Sequence, residues 1–156
     1  MLPRLRARAE ASAALGFSSA TIELPGAGGR EPLAHIDRAR TELRASLREE
    51  TEVSADIVDR LILPLVAHAV PEWQRLIDEL LVLPGVAPAV ATSGGVAAIT
   101  VHLLAADPRI SAAVIFGGSY VPEETLRVAR SITVPVHMLL QWDDGGNYRQ
   151  MALDLF

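Results

Sequence analysis

The chain has 156 residues, half of them hydrophobic by type and 21% charged, enough for one packed domain and too apolar for a disordered chain. Its net charge of −5 at pH 7 disfavours a nucleic-acid partner, which selects a basic face. There is no cysteine, so neither a disulfide framework nor a thiolate metal site can form, and a cytoplasmic setting is expected.

No run reaches the roughly 18 consecutive apolar residues of a membrane span, so no membrane partner is expected. Residues 1–8 are basic, but no apolar core follows them, which argues against a signal peptide. Residues 3–15 carry Leu5, Ala9 and Ala13 at helical spacing, and Gly16 is placed to stop that helix. Residues 17–23 read as a strand, and 24–30, with Gly26, Gly28 and Gly29, as a loop. Bare glycine amides can cradle an anion, but neither the dinucleotide nor the P-loop spacing is present, so a turn is the preferred reading.

Residues 33–50 place Leu33, Ile36, Ala39, Leu43 and Leu47 three to four apart, an amphipathic helix. Ser54 is set to cap the next helix, which Pro64 is expected to kink. Pro71 suits a first helical position and predicts a separate helix over 71–83, closed by Pro84-Gly85. Residues 31–70 are long for a single crossover and are a candidate helical lid. Residues 87–92 then read as a short apolar strand, followed by a tight turn carrying Ser93 and an alanine-rich helix ending near Ala106. Asp107-Pro108 breaks that helix. Residues 110–116 and 134–140 are apolar runs of the kind buried on both faces of a parallel sheet. Between them, 122–131 reads as a short helix with Glu123 and Glu124 in its first turn. Residues 141–147 are a polar loop, and a further helix starts at Tyr148. Strands alternate with helices, so the class is α/β with a mostly parallel sheet, in a single domain over 1–156.

Several residues have a structural reading beside a chemical one. Ser93 sits where a sheet can present a nucleophile, and it also suits a plain turn before a helix. Asp143-Asp144-Gly145-Gly146 is by composition a solvated turn. His102 and His137 read as structural, whereas His35 and His68 are candidates for a substitute base. Trp73 reads as packing. Tyr120 and Trp142 follow strand ends, on the side where α/β sites form, and are candidate substrate-binding residues. No metal or cofactor is expected.

Ala91-Thr92-Ser93-Gly94-Gly95 resembles the small-x-nucleophile-x-small elbow of the α/β-hydrolase superfamily, with Ala91 replacing the usual first glycine. Residues 105–110, Ala-Ala-Asp-Pro-Arg-Ile, followed by an apolar strand, resemble the dienelactone-hydrolase-like and acyl-esterase-like branch. So does the strand and loop of residues 17–30, where Glu23 stands for the usual Asp and Ala27 for a frequent His. Residues 135–156 resemble the strand, loop and helix that present the triad acid.

The resemblance implies a serine hydrolase acting on a carboxylic ester or related acyl bond of a small molecule. It makes Ser93 the nucleophile, the Gly94 amide an oxyanion donor and Asp144 the triad acid, with Asp143 the near alternative. It also implies a partial α/β-hydrolase fold, a sheet of about four strands flanked by helices. In that family the histidine lies beyond the position of Phe156, and both the second oxyanion donor and a further strand lie before residue 1. The chain thus reads as cut at both ends, with exposed sheet edges that suit a homodimer. A catalytically inactive fragment serving as an interaction or assembly module is the alternative from another class. A nucleotide-binding domain is the weakest reading, because it lacks both the lysine and the glycine fingerprint.

Overall fold

A computed structural model describes residues 2–117, 120–140 and 149–155. In chain order the elements are α1 (Leu2–Ala14), α2 (Ala34–Arg48), α3 (Ala55–Leu81), β1 (Val90–Gly94), α4 (Ala97–Ala106), β2 (Ile110–Phe116), α5 (Glu123–Ala129), β3 (Val136–Leu139) and α6 (Arg149–Leu153). The three strands form one parallel sheet in the order β1-β2-β3, with α4 and α5 in the crossovers. The α/β class therefore holds. The sheet has three strands among the described residues, against the expected four.

The absent strand is residues 17–23, which run without ladder partners and are almost entirely exposed. Strand propensity is realised through cross-strand neighbours, and this segment has none. What anchors the region is Leu24, packed on the Val66, Ala69, Ala98 and Ile99 cluster. The glycine loop after it does wrap an anion, but the anion is the chain's own. The Gly29 amide donates to the Glu23 carboxylate at 3.2 Å, and a methyl on Gly28 would overlap that carboxylate. Arg30 closes the loop by donating to the Glu23 carbonyl at 2.8 Å and, through both terminal nitrogens, to Glu72 at 2.7 and 2.6 Å. The bonds from Arg30 hold the Glu72 carboxyl below the usual carboxylate range.

The second departure is α3. It starts as expected, with the Ile57 amide donating to Ser54 Oγ at 3.4 Å, but it then runs unbroken through Pro64 and Pro71. Neither proline is buried, and Pro71 is exposed. A carbonyl that loses its amide partner on a wet face can turn to water. The opposite face buries Leu61, Leu65, Val66, Ala69 and Ile77, which holds the helix together across both sites.

Ile36 and Ala39 of α2 pack on Leu61 and Leu65 of α3. The far half of α3 packs with α4 and the start of β2, through Ile77, Leu103, Leu104 and Ile110. Ala97, Val101, Ile115 and Val121 form a fourth cluster, joined by Met138 and Met151. The core thus lies on one side of the sheet. The register rows Thr92–Ala113–Val136 and Gly94–Ile115–Met138 alternate with the row Ser93–Val114–His137. Ala113 and Ile115 are buried, whereas Ser93, Val114 and His137 are all exposed. Strand side chains alternate between faces, so this second row lies on the face turned away from α4. On that face the Arg8 guanidinium of α1 sits 4.9 Å from the Phe116 ring centroid, a cation–π contact. Among the described residues no helix is long and apolar enough to cross a membrane.

Candidate functional site

The C-terminal ends of β1 and β2 meet the start of α4, the place where α/β folds build sites. Glycines govern the approach. A Cβ on Gly94 would lie 2.8 Å from Thr100 Oγ1, and one on Gly95 would lie 3.3 Å from the Phe116 ring. Gly117 has a φ of 100°, and a Cβ there would come within 3.1 Å of the Gly95 carbonyl oxygen. The two strand ends therefore pass one another with little room for a side chain, most tightly at Gly94 and Gly117. Gly117→Ala combines positive φ with that contact and is expected to cost about 1–3 kcal/mol, read from the denaturant midpoint. A cost within a few tenths of Gly29→Ala, where a Cβ meets nothing within 4 Å, would show that the crossing does not depend on glycine.

Ser93 is placed differently from its sequence expectation. The strand does not end before it. It continues through Ser93, opposite Val114, to Gly94, opposite Ile115. The turn is Gly95-Val96, and α4 begins at Ala97 with Val96 as an N-cap that makes no side-chain hydrogen bond. The strand pairing persists because β2 stays in register as far as Ile115, so the ladder extends two residues past the apolar run. Among the described residues the non-glycine positions with positive φ are Glu50, at 53°, and Tyr120, at 58°. Ser93 thus has an ordinary extended backbone and an exposed side chain.

All four histidines lie within the described residues. His137 shares the exposed row with Ser93 but stands two strands away, on the order of 10 Å between Cα atoms at normal strand spacing. Val114 lies between them. His35 and His68 are exposed on α2 and α3, and His68 contributes to the charge environment of Glu72. His102 lies half-buried on α4, with Nε2 3.2 Å from Oγ1 of the fully buried Thr125 on α5. Burial pushes its pKa down, and the Glu124 charge opposes that shift.

The lowered value fixes the sign of a pH effect. The unfolded chain protonates His102 first, so its contribution is fully present above the ordinary imidazole range and is lost as pH falls toward the folded value. Wild type is expected to lose on the order of 1–3 °C more in Tm than His102→Gln between pH 8 and pH 5. Equal losses in the two proteins would remove His102 from the account.

Tyr120 lies where expected, beyond β2, and half-buried. A positive φ is strained for so bulky a side chain. Burial raises the pKa of its phenol. With Ile62, Gly95, Val96, Ala97 and Val121 it borders a small cavity of about 80 Å³ at the start of α4. Ile62 is the point at which the expected lid, residues 31–70, reaches this cavity. Neither Ile62 nor Val121 carried any signal in sequence beyond apolar character. Ser93 does not border the cavity, consistent with its position on the other face. Asp143, Asp144 and Trp142 lie outside the described residues. Trp73 packs on the α3–α4 core. Among the described residues no group of three or more His, Asp or Glu side chains could hold a metal ion.

No family model matches this sequence, and no curated protein or solved structure matches it either.

Proposed function

We propose that this chain carries the nucleophile unit of a serine hydrolase of the α/β type, acting on a carboxylic ester or related acyl bond of a small molecule. Ser93 attacks the acyl carbonyl, the Gly94 amide contributes to the oxyanion site, Asp144 orients the general base, and that base is a histidine supplied from outside this chain. The single observation behind this reading is the parallel β1–α4–β2 unit, in which a serine followed by two closely packed glycines stands at the strand end. Tyr120 and Trp142 are assigned to the substrate. The outer strands β1 and β3 suit a homodimer through sheet edges, with a cytoplasmic setting.

A second reading has its own observation. Ser93 lacks the strained backbone of a nucleophile elbow and has no histidine against it, which favours a catalytically inactive assembly module. Fluorophosphonate labelling in a lysate of cells expressing the chain separates the two, because the probe needs an activated serine. The hydrolase reading expects a phosphonylated Ser93 peptide by mass spectrometry, lost in Ser93→Ala. Failure to label Ser93 under conditions that label other serine hydrolases in the lysate would favour the assembly module.

A further inference from the structure

The first helix stands apart from the rest of the chain. Among the described residues, no Cα of α1 lies within 8 Å of another helix or strand. What links it to the sheet is the Arg8 guanidinium, 4.9 Å from the Phe116 ring centroid. Arg6 and Glu10 pair with each other along the helix at 3.0 Å. The segment that follows gives no anchor, because residues 17–23 are almost entirely exposed and have no ladder partners; the first firm contact is Leu24. Beside the Arg8 contact lies an uncovered sheet face. Val114 and Leu139 are 37% and 52% exposed there, next to Ser93 and His137. Parallel sheets are ordinarily covered on both faces. α1 carries a stripe suited to this one: Leu5, Ala9 and Ser12, four and three residues apart, are half-buried, whereas Arg6, Ala7, Glu10 and Ala11 are exposed.

We infer that α1 is a hinged cover, poised to close across the Ser93–Val114–His137 row, with residues 15–23 as its hinge. The pivot is Phe116. Its ring packs 3.3 Å from where a Cβ of Gly95 would lie, so Arg8 meets it beside the turn that follows Ser93. At 13 residues α1 is about 20 Å long, twice the roughly 10 Å that separates β1 from β3. On closing, Leu5 and Ala9 bury apolar surface on Val114 and Leu139, which drives the motion. In the open position Arg8 stays on Phe116, a contact that at an exposed site shifts an equilibrium by roughly two- to five-fold. A tie that weak leaves the helix free to change position. The cover governs access to the Ser93 face and does not depend on any reaction of Ser93.

Disulfide trapping in the full chain tests this, and the chain has no cysteine of its own to interfere. Two cysteines bridge when their Cα atoms come within roughly 7 Å, closer than α1 stands to any strand in the open position. Ala9→Cys is paired with Val114→Cys, and the control pairs Ala7→Cys, on the exposed side of α1, with the same Val114→Cys. Under oxidised glutathione the Ala9 pair is expected to close within one chain about ten-fold faster than the Ala7 pair, because the stripe faces the sheet. Adding Leu5→Asp should slow the Ala9 pair to about the Ala7 rate, since a carboxylate resists burial on that face. Equal rates for the two pairs overturn the cover, because a helix that merely frays presents both sides. An Ala9 rate unchanged by Leu5→Asp overturns it as well. So does a disulfide-linked dimer in place of a closed monomer, which would assign the face to a second copy. If Val114→Cys does not fold, Leu139→Cys on the same face replaces it, with the same outcomes.

Discussion

The purified chain is expected to hydrolyse p-nitrophenyl acetate no faster than its Ser93→Ala variant. The reason is geometric. A serine becomes a competent nucleophile when a base sits within roughly 2.6–3.2 Å of its hydroxyl. His137, the histidine in Ser93's register row, is two strands distant with Val114 between them, and His102 is committed to Thr125 on the other side of the sheet. Loss of the base from a Ser-His-Asp unit costs roughly a million-fold in turnover. The extended backbone at Ser93 also leaves its hydroxyl on the flank of the sheet, not above the start of α4. Added imidazole gives the converse arm. Acting as an external base, it should produce a rate component that Ser93→Ala lacks. Ser93-dependent turnover at an ordinary enzymatic rate without imidazole would show that the chain assembles its own base. The base supplied from outside would then have to be abandoned.

What could be read from sequence was what periodicity encodes. Residues 33–50 reveal α2 because Ile36, Ala39 and Leu43 repeat at the helical interval and then bury that face on α3. Residues 110–116 and 134–140 reveal β2 and β3 as apolar runs, but the expected burial on both faces does not hold: the core covers one face only, and Val114, Val136 and Leu139 are exposed. What failed depended on neighbours that local sequence does not specify. Residues 17–23 have the composition of a strand but no partner. Pro71 looks like a helix start, yet it lies on the exposed side of a helix whose other face is fully engaged. The strand expected over 87–92 lies instead at Val90–Gly94: its last two residues are polar or small, so composition does not mark them as strand, but their register with Val114 and Ile115 keeps them in the ladder. The same two residues decide how Ser93 is presented, so the least legible boundary in the chain is also the one the candidate site depends on. Asp107-Pro108-Arg109 was legible as a break but not as a clamp. Its only local signal was an aspartate positioned to bond an amide two residues on, a common turn device.

That clamp carries the second large effect. Arg109→Ala is expected to lower Tm by on the order of 10 °C, and Asp107→Ala by roughly half as much. The Asp107 side chain is 1% exposed and accepts three bonds from Arg109: the amide at 3.1 Å, Nε at 2.8 Å and Nη2 at 2.6 Å. Arg109 also reaches Asp78, so one guanidinium joins the α4–β2 turn to α3. Beside it, Gln74 of α3 donates to the Ala106 carbonyl at 3.1 Å, a second tie between the same elements. The asymmetry follows from burial. Removing Asp107 leaves a part-exposed arginine that keeps Asp78 and can be hydrated. Removing Arg109 strands a buried carboxylate with the backbone amide of residue 109 as its remaining donor. In wild type the bonds from Arg109 hold the Asp107 carboxyl below its ordinary range, so its contribution is present above that range and is lost as pH falls through the folded value. In Arg109→Ala burial acts unopposed by the guanidinium and raises the same pKa, which reverses the slope. The variant should therefore regain part of its stability as pH falls through the carboxylate range, while wild type loses stability there. Thermal unfolding of both single variants and the double variant, measured across pH, separates these terms. An Asp107→Ala deficit equal to or larger than that of Arg109→Ala would mean that the buried carboxylate is not what the clamp exists to satisfy.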